Sequence, residues 1–270
     1  TYQNGNTRFL EQMMNGKKKY QRRQFERDQE MYMATKFIGT TATSDQIMFR
    51  CNTPVDAIVK PDYTLHLTPF SDMYLSVMFG NSSPTQIRAK AGQQYDIPCP
   101  YNQMDDTAVL VYGASRIQSM GDVSTCYIHD NDFSKATRLK KLIIGNETKG
   151  YSNNFLTNLV IGNNKLLELL DVRNTPNLVT SLDLSKCGSL KKLYASGSGL
   201  TGVKFANGGK IDTAILPETL TSIIMRNLKY LTNLQIPAYD KFTSMVIEYC
   251  DTVDPASMVE KATKLNRIRL

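Results

Sequence analysis

The feature that most constrains the fold is a short apolar unit that recurs through the second half of the chain. Its first, fourth and sixth positions are apolar, as in Leu139-Leu142-Ile144 and Leu167-Leu170-Val172. Alternate units have their fourth positions at 159, 182, 203, 223, 245 and 268, so the steps are 23, 21, 20, 22 and 23 residues. The interleaved units at 170, 193, 214 and 234 step by 23, 21 and 20 residues. Two sets of units with one shared period predict a solenoid, because each coil buries its apolar face only against its neighbours.

The coil length of about 22 residues falls in the range of leucine-rich repeats. Each unit is short and has alternating apolar residues, which predicts a strand with those residues inside. Because each coil holds two such units, little chain remains for a full helix, and the second side of the solenoid is expected to be strand or extended chain. We therefore expect a leucine-rich-repeat-type solenoid over 115–270, continuing past Leu270 or cut there.

Small polar residues follow the strand-like segments of the first set of units. In leucine-rich repeats this position turns the chain inward and hydrogen-bonds the backbone of neighbouring coils. The predicted turn residues are Asn163, Cys187, Asn207, Asn227 and Cys250.

The solvent-facing positions of the repeat are the candidates for a binding surface. Tyr194 is the best single candidate for a glycan contact, since aromatic rings on a repeat surface suit sugar binding. The predicted repeat-surface residues are Asp171, Arg173, Lys192, Tyr194 and Gln235.

The region 39–114 is predicted to be a small all-β module. Its segments alternate apolar and polar residues and are separated by Gly, Pro, Asn and Ser turns. Six short strands in about seventy residues favour an antiparallel sandwich-like arrangement. The predicted strands are Gln46–Cys51, Tyr63–Thr68, Met73–Phe79, Gln86–Lys90, Gln94–Ile97 and Ala108–Tyr112.

The segment 1–38 is predicted to be a basic helix, since Arg8 to Phe37 lacks proline and is rich in good helix formers. The stretch from Arg8 to Lys36 contains eight basic and four acidic residues. Its net charge is therefore +4, which is more than half of the chain's net charge of +7. Nucleic-acid binding is not expected, because the acids dilute the patch and no recognition motif accompanies it. The segment is instead expected to lock onto neighbouring proteins. The candidate assembly contacts are Met13, Arg22, Arg23, Phe25, Arg27 and Met31.

Composition argues against several classes of function. The five cysteines are an odd number without a CxxC pair, which disfavours a disulfide framework or a zinc knuckle and predicts reduced thiols. His66 and His129 are the only histidines. The sequence Cys126-Tyr-Ile-His-Asp-Asn-Asp132 suggests a His/Asp metal cluster at first sight, but a polar turn after a strand is the better interpretation, because Asp and Asn favour turns. No nucleotide-binding or metalloprotease motif is present, and no apolar run approaches the roughly 20 residues that span a bilayer. We expect no catalysis, no metal, no cofactor and no membrane association.

Five segments carry a resemblance to known proteins: Val111–Ser119, Leu139–Asn146, Leu169–Asn174, Leu193–Gly202 and Leu265–Leu270. Together with Pro69–Tyr74 they resemble leucine-rich-repeat virion structural proteins, of the tail or baseplate, from tailed bacteriophages and prophages of gut bacteria. The repeat pattern by itself is common to many repeat proteins, whereas the sequence of Val111–Ser119 is more specific to this resemblance. The resemblance implies a non-catalytic structural role, with copies of the chain and neighbouring virion proteins as partners. It also implies location in the virion tail after assembly in the host cytoplasm.

Two other functions remain open from the sequence. The repeats resemble, more loosely, those of bacterial surface adhesins, so the chain could instead be a host-surface adhesin that binds glycan or protein. An enzyme, such as a virion hydrolase, is the weakest alternative, because no nucleophile motif supports it.

Overall fold

The computed structural model describes residues 45–270, which belong to one compact unit. The predicted N-terminal helix and the six candidate assembly contacts lie outside the described residues. Among the described residues, no helix is long and apolar enough to cross a membrane.

The first part of the described chain forms two antiparallel sheets. The five-stranded sheet has the order β4-β3-β6-β1-β8, and the three-stranded sheet has the order β5-β2-β7. The strands are β1 (Gln46–Cys51), β2 (Leu65–Pro69), β3 (Met73–Phe79), β4 (Thr85–Ala89), β5 (Tyr95–Ile97), β6 (Thr107–Tyr112), β7 (Ile117–Ser119) and β8 (Asn131–Asp132). The first six match the predicted strands to within two residues at each end. The sheets also take in β7 and β8, which follow residue 114; the division of the chain at 38 and 114 stays a prediction.

The second part is a solenoid in which successive strands alternate between two parallel sheets, except that the first two strands share one sheet and the last two share the other. One sheet has the order β16-β14-β12-β10-β9 and the other β11-β13-β15-β17-β18. The strands of the first are β9 (Lys141–Ile143), β10 (Leu169–Asp171), β12 (Lys192–Tyr194), β14 (Thr213–Ile215) and β16 (Asn233–Gln235). Those of the second are β11 (Ser181–Leu184), β13 (Gly202–Phe205), β15 (Ser222–Arg226), β17 (Ser244–Glu248) and β18 (Arg267–Arg269). About five coils of about 22 residues result, and both the predicted period and the predicted extended second side are confirmed.

One α-helix is present among the described residues, α1 (Pro255–Lys261), between β17 and β18. The Asp254 side chain accepts a hydrogen bond from the Ser257 backbone N–H, and Pro255 occupies the first turn. Both features stabilise a helix start, because the Asp254 carboxylate pairs a backbone donor that has no partner inside the helix, and Pro255 has no N–H that would need one.

The core of the solenoid lies between its two sheets. Leu170, Leu193 and Ala214 stand in one row across neighbouring strands, and Leu182 and Val203 stand in the opposite sheet. Leu193 is 0% exposed and Leu182 is 3% exposed, as the predicted register requires. The buried core continues without a break from Ile47 in β1 to Ala262 after α1.

The unit centred on Leu159 differs from the prediction, because its residues are not in a strand. Leu159 is still buried, but the chain there is held by the Asn131 side chain and by one backbone hydrogen bond, from the Phe133 N–H to the Val160 carbonyl at 2.9 Å. The Val160 N–H donates to Oδ1 of Asn131 at 2.9 Å, and Nδ2 of Asn131 donates to the Asn158 carbonyl at 2.7 Å. This asparagine at the start of β8 therefore joins the antiparallel part of the fold to the first coil.

Candidate functional site

Three of the five predicted repeat-surface residues lie together at the carboxyl ends of β10 and β12. Asp171 and Tyr194 are paired residues of these two parallel strands, and Arg173 follows β10 by two residues. Leu170 and Val172 point into the core, so Asp171 and Arg173 lie on the outer side of the chain. We call Glu147, Asp171, Arg173 and Tyr194 the Arg173 cluster.

Asp171 is the anchor of the cluster, with only 3% of the residue exposed. Nη2 of Arg173 donates to Oδ2 of Asp171 at 2.6 Å, and Nε lies 3.1 Å from both carboxylate oxygens. The Arg173 backbone N–H also donates to Oδ1 at 3.0 Å. These hydrogen bonds raise the pKa of the Arg173 guanidinium, because they favour its charged form. The pair is thus a fixed, hydrogen-bonded support for the outer surface.

Glu147 completes the cluster from the preceding coil. Nη1 of Arg173 donates to Oε2 of Glu147 at 2.6 Å, and the guanidinium carbon lies 5.0 Å from the centre of the Tyr194 ring. The two turns can approach because Gly145 has no side chain: a Cβ there would lie 2.1 Å from the backbone N of Arg173. Glu147 was not among the predicted surface residues, because it lies 26 residues before Arg173, which is more than one coil of about 22 residues.

The cluster can bind but offers no evident covalent chemistry. Its two carboxylates and one guanidinium carry a formal net charge of −1, and the guanidinium already bonds to both acids. Two groups of the cluster are free to contact a ligand. They are the half-buried Tyr194 ring and the outward-facing carboxylate lone pairs of Glu147, whose side chain is 78% exposed. A planar ring beside hydrogen-bond acceptors suits a polar ligand with one apolar face.

Lys192 and Gln235 lie on the same sheet but outside the Arg173 cluster. Nζ of Lys192 is 3.4 Å from Oδ1 of Asp212, one coil onward. The Gln235 amide donates to Oδ1 of Asn233 at 3.1 Å, within β16. The structure therefore groups three of the five surface residues and separates two.

The five predicted turn residues do not share one environment. Cys187 and Cys250 are buried, Asn163 and Asn207 are exposed, and Asn227 is half-buried. Nδ2 of Asn227 donates to Oδ1 of Asn207 at 2.6 Å, which joins two neighbouring coils.

At the first of these turns the buried amide belongs to Asn164, one residue after Asn163. Asn164 is 1% exposed, and its Nδ2 donates to the carbonyls of Phe133 and Ala136 at 3.2 and 3.0 Å. Its Oδ1 accepts from the Gly162 N–H at 2.7 Å. The residue that bonds the neighbouring segment at this turn is therefore Asn164 and not the predicted Asn163. The two asparagines are adjacent, and the sequence pattern does not distinguish between them.

Side-chain bonds between neighbouring coils extend along the whole solenoid. Asn153, Asn174 and Asn177 each donate to a backbone carbonyl 23 to 28 residues earlier in the chain. The ion pairs have a similar spacing and join Glu147–Arg173, Glu168–Lys191, Lys192–Asp212, Asp183–Lys204, Arg226–Glu248 and Glu248–Arg269. Since the partners lie about one coil apart, most of these surface charges are neutralised between coils.

The two histidines occupy ordinary surface positions in the antiparallel part. Nδ1 of His66 lies 2.7 Å from Oδ1 of Asp96 across β2 and β5, and this contact lowers the pKa of Asp96. Nε2 of His129 lies 3.8 Å from Asp130 and 4.0 Å from Asp106. No group of three or more His, Cys, Asp or Glu side chains in residues 45–270 is arranged to hold a metal ion.

The cysteines of the described chain are free thiols, and all except Cys99 are buried. Burial raises the pKa of the Cys187 thiol to about 11 and holds that of Cys51 well above its usual value. Because the thiolate is the reactive form, burial and a raised pKa disfavour reaction of these thiols at neutral pH.

Comparisons with protein-family models, curated proteins and solved structures found no match to this chain.

Proposed function

We propose that this chain is a non-catalytic structural component of a phage virion, in the tail or baseplate region, and that it acts through protein–protein contacts. The observation that carries the proposal is the bonding between coils. Ion pairs and asparagine amides that join one coil to the next make the solenoid a stiff element with fixed outer faces. A stiff element of this kind suits an assembly, because little conformational entropy is lost when it is bound.

The resemblance of Val111–Ser119 and of the repeat segments to leucine-rich-repeat virion proteins supports the same role. The assignment of the solenoid to the leucine-rich-repeat class is part of this proposal and rests on the coil length and the apolar pattern. The partners are other copies of the chain and neighbouring virion proteins, and the site of action is the virion tail, after assembly in the host cytoplasm.

The test is to detect the chain in purified particles. Tailed particles would be isolated on a density gradient from the host culture and analysed by mass spectrometry. The proposal predicts peptides from this chain in the particle fraction at a fixed ratio to known tail proteins. Peptides found only in the soluble lysate, with particles complete and infective, would contradict it.

A second function, a host-surface adhesin, is favoured by the Arg173 cluster. Tyr194 presents a ring beside the exposed carboxylate of Glu147, and Arg173, held by the buried Asp171, contacts both. The test is binding of the full chain to a glycan array and to host cell envelopes. Tyr194→Ala should abolish binding, whereas Tyr230→Ala, which removes a 60% exposed ring from a turn elsewhere, should not. Equal binding by both variants would exclude the cluster as the receptor site.

A further inference from the structure

The strand β4 is an edge of the five-stranded sheet, and in residues 45–270 it pairs only with β3. Gln86 and Arg88 are exposed, whereas Ile87 is half-buried and packs against the core. The strand contains no proline, bulge or inward-pointing charge, and its one charged side chain, Arg88, points to solvent. An edge of this kind can accept another strand if the partner strand accommodates Arg88.

The hydrogen-bond phase of the sheet shows which groups of β4 face outward. The Gly80 N–H donates to the Ala108 carbonyl at 2.7 Å, immediately past the paired ends of β3 and β6. In antiparallel strands, hydrogen-bonded pairs alternate with non-bonded pairs. Counting back from the bonded pair Gly80–Ala108, Ser76 and Met78 direct their backbone groups to β6. Leu75 and Val77 therefore direct their backbone groups to β4.

Leu75 and Val77 pair with Ile87 and Thr85, which therefore use their backbone groups toward β3. The N–H and C=O groups of Gln86 and Arg88 consequently point to the open edge. The outward-facing backbone groups and the exposed side chains of β4 thus belong to the same two residues.

We propose that β4 pairs antiparallel with β4 of a second copy of this chain, in a register centred on Ile87. This register sets Gln86 opposite Arg88 of the second copy, twice by symmetry, and allows four backbone hydrogen bonds. The two Ile87 side chains meet at the two-fold axis on the core side. The inference rests on the proposed function, since it names one of the contacts by which copies assemble.

Two alternative registers, centred on Arg88 and on Gln86, are less favourable. Centring on Arg88 sets two guanidinium groups opposite each other, and like charges directly opposed destabilise a strand pair. Centring on Gln86 sets Arg88 opposite Pro84, which has no N–H to donate. The register centred on Ile87 opposes no two arginines and pairs only residues 85–89, so Pro84 lies outside the paired residues; the Lys90 N–H already donates to the Tyr95 hydroxyl at 2.9 Å. Tyr74, paired with Arg88 on β3 and 60% exposed, lies beside each Gln86–Arg88 pair.

The first test changes the charge at residue 86 in the full chain. Gln86→Glu sets a carboxylate opposite Arg88 of the second copy and should tighten the dimer about two- to thirtyfold over two symmetric pairs, an effect that high salt reverses. Gln86→Arg should weaken it by a similar factor. Sedimentation equilibrium over a concentration series measures both, and urea unfolding checks that each variant is folded. Equal association of the two variants, or a monomer at every concentration, would overturn the inference.

The second test fixes the register. A mixture of Gln86→Cys and Arg88→Cys chains should form a disulfide-linked dimer under mild oxidation, because hydrogen-bonded pairs have Cα atoms about 5.5 Å apart. Neither variant alone should cross-link through the new cysteine. Cross-linking of Gln86→Cys alone, or none in the mixture, would refute the pairing. The proposed function and the pairing can be refuted independently. If the dimers form as described but the chain is absent from particles, the virion role is rejected and the pairing stands.

Discussion

Leu193→Ala is the sharpest test of the packing between the two parallel sheets. Leu193 is 0% exposed and stands between Leu170 and Ala214 in its row. Truncation removes three carbon atoms, which at roughly 0.8 kcal/mol each amounts to about 2.4 kcal/mol of transfer free energy. Backbone hydrogen bonds on both sides hold the neighbouring strands, and Ala214 is too small to fill the space.

A residual cavity on the order of 60 Å³ adds about 1.5 kcal/mol at about 24 cal/mol per Å³. The expected total loss in the free energy of unfolding is therefore about 4 kcal/mol, within the range of about 2–5 kcal/mol for buried leucines. Urea unfolding of the full chain, followed by circular dichroism, measures it.

The matched control is Lys192→Ala, one residue earlier on the outer face of β12. Its side chain is 44% exposed, and its ion pair with Asp212 is worth about 0–1 kcal/mol. An unchanged midpoint for Leu193→Ala, or equal losses for both variants, would refute the assignment of inward and outward positions.

Three further predictions concern the bonds between coils and the thiols. Asn164→Ala should lower the free energy of unfolding by about 2–4 kcal/mol, because it leaves buried backbone groups without partners, whereas the exposed Asn163→Ala should change it by less than about 0.5 kcal/mol in the same urea titration. Arg226 and Arg269 lower the pKa of Glu248 below its ordinary value of 4.5, so the stabilisation from Glu248 is complete above that pH and is lost as the pH falls through the depressed value. Glu248→Gln should therefore flatten the acid limb of the stability–pH curve measured by thermal unfolding, and an identical acid limb would contradict this. Native protein treated with a thiol reagent at pH 7.5 should be modified at Cys99 first, and at Cys187 only after unfolding, because burial raises the pKa of Cys187 to about 11; peptide mapping that shows early labelling of Cys187 would be inconsistent with its burial.

The coils were predictable because each repeats the same inward apolar residues at a nearly constant period. The strands β1 and β3 were predictable to the residue, since period-two alternation ends there at clear turn residues. The segment around Leu159 has the same apolar spacing but no strand. That segment is bonded to the Asn131 side chain and to the Phe133 N–H, and no local pattern indicates these contacts.

The candidate site was less predictable, because it depends on which corners of consecutive coils meet. Asp171 and Tyr194 could be aligned from the repeat, since both are third residues of equivalent strands. Glu147 could not be aligned with Arg173 from the repeat, because the turn that carries Glu147 has a different length from the turns that follow. The choice between Asn163 and Asn164 likewise depends on the backbone path of one corner, and the sequence pattern is identical for both.

The parallel stacking of coils is the central feature of the solenoid, and distances along one outer row of residues test it directly. Asp183, Lys204, Ile224, Val246 and Arg269 occupy consecutive strands of one sheet. With strands about 4.8 Å apart, backbone separations from residue 183 should be about 10, 14 and 19 Å at residues 224, 246 and 269. Spin labels at cysteines placed at 183 and at each of these positions measure the series by dipolar spectroscopy. Distances that increase in steps of one strand per coil are predicted; a series that does not increase, or that jumps by a helix diameter of about 10 Å between neighbouring coils, would contradict the two-sided β-solenoid.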